Sequence, residues 1–346
     1  MTEAEDVVVE HRGAPVLMPW LEPVARDMLA RRARWPHALL ISGPEGIGKR
    51  ELARVFARAL LCEQPTAEGF ACNACDSCHY VVAGQHPDLR DVEPVDIDED
   101  GVATPEEWIA IKHVRALTEW VQLSSHRRVA KVAIIAPADR MNPPAANALL
   151  KTLEEPPSAT YLILVSHQPG RLLPTIVSRC MRLPLPHPPA QAAVAWLETH
   201  ELKNAPALLA QADGAPLRAL ALADPAYQAE RTAWLTALAS PRTLSPLALS
   251  ARIDAAPRDE RKARLAAAVD WLVGWTADLA AAASGASAIQ NVDFADRIAT
   301  LARSVARISL FRYHRALLQQ RGVLSHPLQP RLVAEALLID YRALFE

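Results

Sequence analysis

Ala38-Leu39-Leu40-Ile41-Ser42-Gly43-Pro44-Glu45-Gly46-Ile47-Gly48-Lys49-Arg50 is the stretch that decides the fold of this chain. An apolar run of strand character leads into a glycine-rich loop, and a helical pattern follows. That is the setting of a phosphate-binding loop, where backbone N–H groups and a helix N-terminus hold phosphates. Gly43, Gly48 and Lys49 sit where G-x-x-x-x-G-K requires them, with Gly46 inside the loop. The next position calls for Ser or Thr, whose hydroxyl ligates Mg²⁺. Here it is Arg50, whose own charge repels a cation. A tight turn with chance glycines is the duller alternative.

Outward from the loop, β-like runs alternate with helical ones between about residues 18 and 185, the pattern of an α/β sheet. Strands are expected near 38–42, 88–93, 130–136, 160–166 and 181–185. Val132-Ala133-Ile134-Ile135 and Tyr161-Leu162-Ile163-Leu164-Val165 are nearly continuous apolar runs, as strands buried on both faces should be. Thr104-Pro105-Glu106-Glu107 predicts a helix start, and Asn142-Pro143 another, whose helix ends at Pro156-Pro157. After the prolines at 184, 186, 188 and 189 the strand signal disappears. Residues 190–225 read as three short helices and 228–346 as longer ones, most clearly Arg258–Ala283 and Phe294–Gln320.

ATP hydrolysis also needs an acidic pair at the end of a neighbouring strand, to hold Mg²⁺ and activate water. The candidate strand, Lys131–Ile135, runs instead into Ala136-Pro137-Ala138-Asp139. Loss of the hydroxyl and of the acidic pair predicts a chain that does not turn over ATP. Lys49 and the loop amides leave phosphate binding open, so ATP is a doubtful ligand.

Cys72-Asn73-Ala74-Cys75-Asp76-Ser77-Cys78 sets three thiols at C-x-x-C-x-x-C, with Cys62 upstream. Four thiolates at turn spacing suit a closed, structural tetrahedral Zn²⁺ site. A bacterial-type iron–sulfur cluster wants a further Cys where Val82 stands. Cys62 is the favoured fourth ligand, with His79 and the more distant His86 as rivals; free reduced thiols are the alternative to any metal. Cys180 reads as a separate buried thiol. Ser178-Arg179-Cys180 ends a helix-like run before the last strand, and in isolation such an arginine reads as a cap or a surface charge.

The chain has 346 residues, 51% of them apolar, and a formal net charge of −2. Two or three domains are expected at this length, and no overall basic field announces nucleic acid. Arg31-Arg32-Ala33-Arg34 is either a local basic patch or, the blander and favoured reading, a solvated helix face. No run of eighteen apolar residues predicts a membrane span. The acidic opening, with Glu3, Glu5 and Asp6, has the wrong sign for a signal, and five cysteines do not make a disulfide framework here. A cytoplasmic location is expected.

Taken together these residues resemble the delta-prime subunits of bacterial DNA polymerase III clamp loaders, a branch of the AAA+ proteins. The resemblance runs from about Pro19-Trp20-Leu21 through Arg218. It is carried by the cysteine insertion, Gly84-Gln85-His86-Pro87-Asp88, Ala138-Asp139-Arg140-Met141-Asn142, Asn147-Ala148-Leu149-Leu150-Lys151-Thr152-Leu153-Glu154-Glu155-Pro156-Pro157 and Ser178-Arg179-Cys180. Residues 1–17, polar and mixed, read as a flexible tail and have no counterpart in the resemblance, which implies an AAA+ α/β domain with a parallel sheet (18–186, zinc module 62–78), a small helical lid (187–227) and an all-α collar (228–346). It implies a subunit of a heteropentamer with motor subunits and a delta subunit, which places a sliding clamp on primed DNA. The chain would be part of the polymerase holoenzyme without ATPase or polymerase activity of its own. The resemblance makes Arg179, with Ser178 beside it, an arginine finger in the ATP site of a neighbouring subunit. Gly43, Gly46, Gly48, Lys49 and Arg218, the lid arginine, would be a vestigial nucleotide site, and Cys62, Cys72, Cys75 and Cys78 the metal ligands. Rival readings are a working ATPase motor of the same machine and an independent zinc-dependent nucleic-acid-binding module.

Overall fold

The computed structural model describes residues 13–97, 103–127, 129–258, 260–322 and 329–346. Its chain divides at Ala192/Ala193 into two compact units.

The first unit contains α1 (Glu22–Ala30), β1 (Ala38–Ser42), α2 (Lys49–Leu61), α3 (Asp76–Ala83), β2 (Leu89–Val92), β3 (Val95–Ile97), β4 (Ala103–Pro105), α4 (Ile111–Gln122), β5 (Lys131–Ile135), α5 (Pro143–Glu154), β6 (Thr160–Ser166), α6 (Pro174–Arg179) and β7 (Met181–Pro184). Five strands make a wholly parallel sheet in the order β2-β5-β6-β1-β7. Each falls within one of the five stretches expected to be strands. The register sets Ala38 beside Leu162 and Ser42 beside Ser166, so β1 and β6 end together at the phosphate loop. Side chains alternate across a strand. Leu40, Ala133, Ile135, Leu162 and Leu164 therefore share one face, packed under α4 and α5 with Leu117, Leu149 and Leu153. Leu39, Ile41, Val132, Ile134, Ile163 and Val165 belong to the other face and are equally buried, as are Leu52, Ala53 and Phe56 of α2.

Asn142 caps α5 as expected: its Oδ1 accepts the Ala145 N–H at 2.9 Å, and the helix stops at Glu154, before Pro156-Pro157. The helix start expected at Thr104-Pro105 is corrected. Residues 103–105 pair antiparallel with 95–97, and the Glu106 N–H bonds the Pro94 carbonyl at 2.7 Å. The helix begins at Ile111, with the His113 Nδ1 accepting the Ala110 N–H in the role given to a capping glutamate. Of the tail, residues 1–12 lie outside the described residues, while the Gly13 N–H bonds the Val82 carbonyl at 2.7 Å.

The second unit opens within α7 (Ala190–Glu198) and holds α8 (Ala205–Gln211), α9 (Pro216–Leu222), α10 (Pro225–Leu238), α11 (Pro246–Asp254), α12 (Arg261–Ala283), α13 (Ala295–Ala302), α14 (Arg307–Gly322) and α15 (Pro330–Ala343). Leu197, Leu208, Leu209 and Ala219 form a small core for α7–α9. A larger one surrounds α12 with Trp234, Trp271, Leu272, Trp275, Leu279 and Tyr341. The Tyr341 hydroxyl accepts the Trp275 indole N–H and donates to the Leu238 carbonyl, both at 2.8 Å. By length and composition α12 would reach across a membrane, but its large side chains are core, and its Asp278 accepts the backbone N–H groups of Ile289 and Asn291. The single run expected from Phe294 to Gln320 is broken at 303–306. There the Ser304 hydroxyl bonds the Leu301 carbonyl and Val305 turns into the core.

Candidate functional site

The phosphate loop joins β1 to α2. Gly43 has φ +150° and Gly48 φ +91°. A Cβ on Gly43 would lie 2.2 Å from the Leu185 carbonyl oxygen, and one on Gly48 2.5 Å from Cγ of Met18. Both glycines are thus required by close approach as well as by backbone conformation. Gly46 also has positive φ, +78°. Met18 is buried, and the Trp20 indole N–H donates to the Ile47 carbonyl at 2.9 Å, so the segment before α1 covers the loop.

Lys49 is buried, and its ammonium donates to the loop's own carbonyls, Gly43 at 2.7 Å and Pro44. Burial pulls its pKa down to about 8, with Glu45 and Asp139 acting in the opposite sense. Arg50 forms an ion pair with Glu93, just beyond β2, and Asp91 of that strand also acts on its charge. A guanidinium held by carboxylates therefore stands where a metal-binding hydroxyl is wanted. Asp139, in the turn after β5, is buried. Burial opposes its charge, but hydrogen bonds from the end of β6, the His167 N–H at 2.7 Å among them, outweigh it and hold the pKa low. That carboxylate is occupied with backbone.

The sulfurs of Cys62, Cys72, Cys75 and Cys78 all lie within 4.8 Å of one another. Cys62 and Cys75 are 3.9 Å apart, and Cys72 and Cys78 4.0 Å. Zn–S bonds of about 2.3 Å put tetrahedral sulfurs about 3.8 Å apart, so the four thiols fit the ion. Neither rival histidine belongs to this cluster. His79 is exposed, and His86 is buried with its Nδ1 accepting the Asp88 N–H. The N–H groups of Ala74 and Cys75 point at the Cys72 sulfur and pull its pKa to about 6, whereas burial pushes the Cys78 thiol to about 12. A dication shared by the four sulfurs would let both be thiolates at once. Cys180 is buried apart from them, and burial raises it to about 11.

Sequence reasoning missed the ties that hold this module. Asp88, wholly buried, accepts the N–H groups of His126 and Arg127 at 2.9 and 2.8 Å and the Ser125 hydroxyl at 3.0 Å. Arg127 in turn pairs with Glu63 through Nε at 3.0 Å, reaches Asp76 at 3.3 Å and stacks over Tyr80. Glu63 also accepts the Ser77 hydroxyl. Asp88 sits in Gly84-Gln85-His86-Pro87-Asp88, and only its place in that motif hinted at a role.

Arg179 is the last residue of α6. Its Nη1 donates to the Thr175 carbonyl at 2.9 Å, and its Nη2 pairs with Glu154 of α5. The side chain is one-third exposed (34%). Ser178 donates its hydroxyl to the same Thr175 carbonyl at 3.0 Å. Arg218, on α9, lies 3.8 Å from Asp213 and 3.9 Å from Asp270, both within the second unit.

A parallel sheet with a glycine loop between β1 and α2 defines a phosphate-loop α/β domain. Residues 26–189 match the family described as DNA polymerase III, delta subunit. DNA polymerase III subunit delta' of Pseudomonas aeruginosa is 43% identical over 208 residues, spanning 59% of this chain and 60% of the relative. The Escherichia coli subunit delta' is 35% identical over 296 residues, 83% of each chain. The chain belongs to the DNA polymerase III delta-prime family. The crystal structure of a DNA polymerase III gamma subunit-related protein from Thermotoga maritima overlies 94% of this chain and all of its own at 18% identity, with a TM-score of 0.40, too loose a likeness to carry an argument.

Proposed function

We propose that this chain is a non-hydrolysing subunit of a clamp-loader assembly of the DNA polymerase III holoenzyme, acting in the cytoplasm. Beside ATP-hydrolysing subunits and a delta subunit in a heteropentamer, it helps place the sliding clamp on primed DNA. The observation that carries this reading is the state of its phosphate loop. Lys49 spends its charge on the loop's own carbonyls, and Arg50, paired with Glu93, replaces the residue that would bring Mg²⁺. Without that hydroxyl or a free carboxylate after β5, the loop has no means of holding metal and priming water. Gly43, Gly46, Gly48 and Lys49 are then a vestigial nucleotide site, with Arg218 its former lid arginine. Zinc at Cys62, Cys72, Cys75 and Cys78 serves as a staple and does no chemistry.

The chain's contribution to catalysis is Arg179, offered in trans. A guanidinium against a γ-phosphate offsets charge that develops in the transition state, an effect of about 10³–10⁵ in rate for arginine fingers generally. Ser178 shares its acceptor and steadies the same turn. Binding to DNA within the assembly is through backbone phosphates and is salt-sensitive.

The test is ATP turnover of the assembly reconstituted from its subunits. Arg179→Ala is expected to leave assembly intact and cut the turnover of the site it serves at least ~100-fold; unchanged turnover defeats the assignment. The chain by itself, with Mg²⁺, ATP and primed DNA, is expected to turn over at less than about 0.1 s⁻¹, low against ordinary enzymes. Faster hydrolysis would make it a motor.

A further inference from the structure

We propose that Glu154 is a positioning residue for Arg179, an inference that rests on the finger reading above. The guanidinium is gripped from two sides: Nη1 by the Thr175 carbonyl one turn back along α6, and Nη2 by the Glu154 carboxylate from a different helix. One contact would leave a long side chain free to swivel about the other. Two contacts on separate nitrogens of a planar fork fix its direction and its plane.

Glu154 has no local reason to stand where it does. It is the last residue of α5, where the helix dipole is negative and a carboxylate is disfavoured. Glu155 leaves the helical conformation (φ −127°, ψ 69°), and Pro156-Pro157 prevent another turn, so the chain fixes Glu154 as the end of the helix. α5 packs against α6, and this brings the end of one helix to the end of the other. The positive partner it meets there is Arg179. Both side chains remain partly exposed, 49% and 34%, so the pair adds little to stability. What it supplies is orientation. A finger that is already aimed loses less freedom on entering a neighbour's phosphate site, and a misplacement of about 1 Å can cost a reacting geometry two orders of magnitude.

The experiment is steady-state ATP hydrolysis by the reconstituted assembly carrying Glu154→Ala, Glu154→Gln or Arg179→Ala in this chain, with kcat and KM resolved. Glu154→Ala is expected to lower kcat about tenfold with KM for ATP, assembly and melting temperature unchanged. Glu154→Gln, whose amide oxygen still accepts from Nη2, should recover most of that loss. If Glu154→Ala turns over like the parent while Arg179→Ala is impaired, the positioning role is wrong and the finger stands. If Glu154→Gln is as slow as Glu154→Ala, charge and not orientation matters, and the proposal also falls. If Arg179→Ala is itself without effect, the finger reading fails and takes this inference with it.

Discussion

A lysine locked onto carbonyls is an unusual tenant for a buried site, and Lys49 exacts a stability cost that can be measured. Its folded pKa of about 8 lies below the ordinary lysine value of 10.5. Keeping it charged therefore opposes folding below pH 8, and stability should rise as pH climbs from about 8 towards 10.5. Lys49→Met is expected to raise unfolding free energy at pH 7 by about 1–3 kcal/mol, less whatever the lost hydrogen bonds supplied, because one pKa unit corresponds to about 1.4 kcal/mol. The gain should shrink above pH 8; a difference flat from pH 7 to 10.5 in urea titrations would count against this account. The loop residues were legible because their spacing is local. Asp88 and Glu154 were not: their partners are 37–39 and 25 positions away, and nothing in a linear pattern announces such a meeting.

Among the elements, the buried parallel strands were the easiest to read, since two-sided burial writes itself as an apolar run. β3 and β4 escaped because each is three residues long and lies apart from the main sheet. Thr104-Pro105 misled for a related reason: proline opens helices but also sits comfortably in an edge strand. In Phe294–Gln320 the helical pattern runs on across 303–306, where the chain turns between α13 and α14. The cysteine element was legible from spacing, although its fastening to residues 125–127 was not. That fastening has a consequence for metal loss. Cys75→Ser is expected to release the zinc, one per chain by metal analysis. Hydrogen exchange should then quicken across residues 62–83 and also at the amides of His126 and Arg127, because Glu63 and Asp76 no longer hold the Arg127 side chain. Full zinc retained by that variant would refute the four-thiol site.

On the scale of the molecule, the two units have cores of their own. In the second, Arg231 is buried with Asp293 at 2.7 Å and Asn291 at 2.8 Å, and Asp278 gathers the chain after α12. Residues 224–346, which carry the larger of the second unit's cores, expressed alone are expected to give a helical circular dichroism spectrum and one cooperative thermal transition, as a domain with its own core should. A broad, non-cooperative melt would show that this core needs the rest of the chain. The near-neutral charge of the whole gave no hint of this division.

The covering of the phosphate loop by Met18 and Trp20 sets a limit on how far the chain can be pruned from its beginning. Cutting just before Met18 would spare the methionine methylenes packed on Gly48 and the indole bonded to Ile47. A cut three residues later would strip both and leave only Leu21 against Gly48, so protease trimming or a badly chosen fusion junction there would loosen a site more than twenty residues downstream.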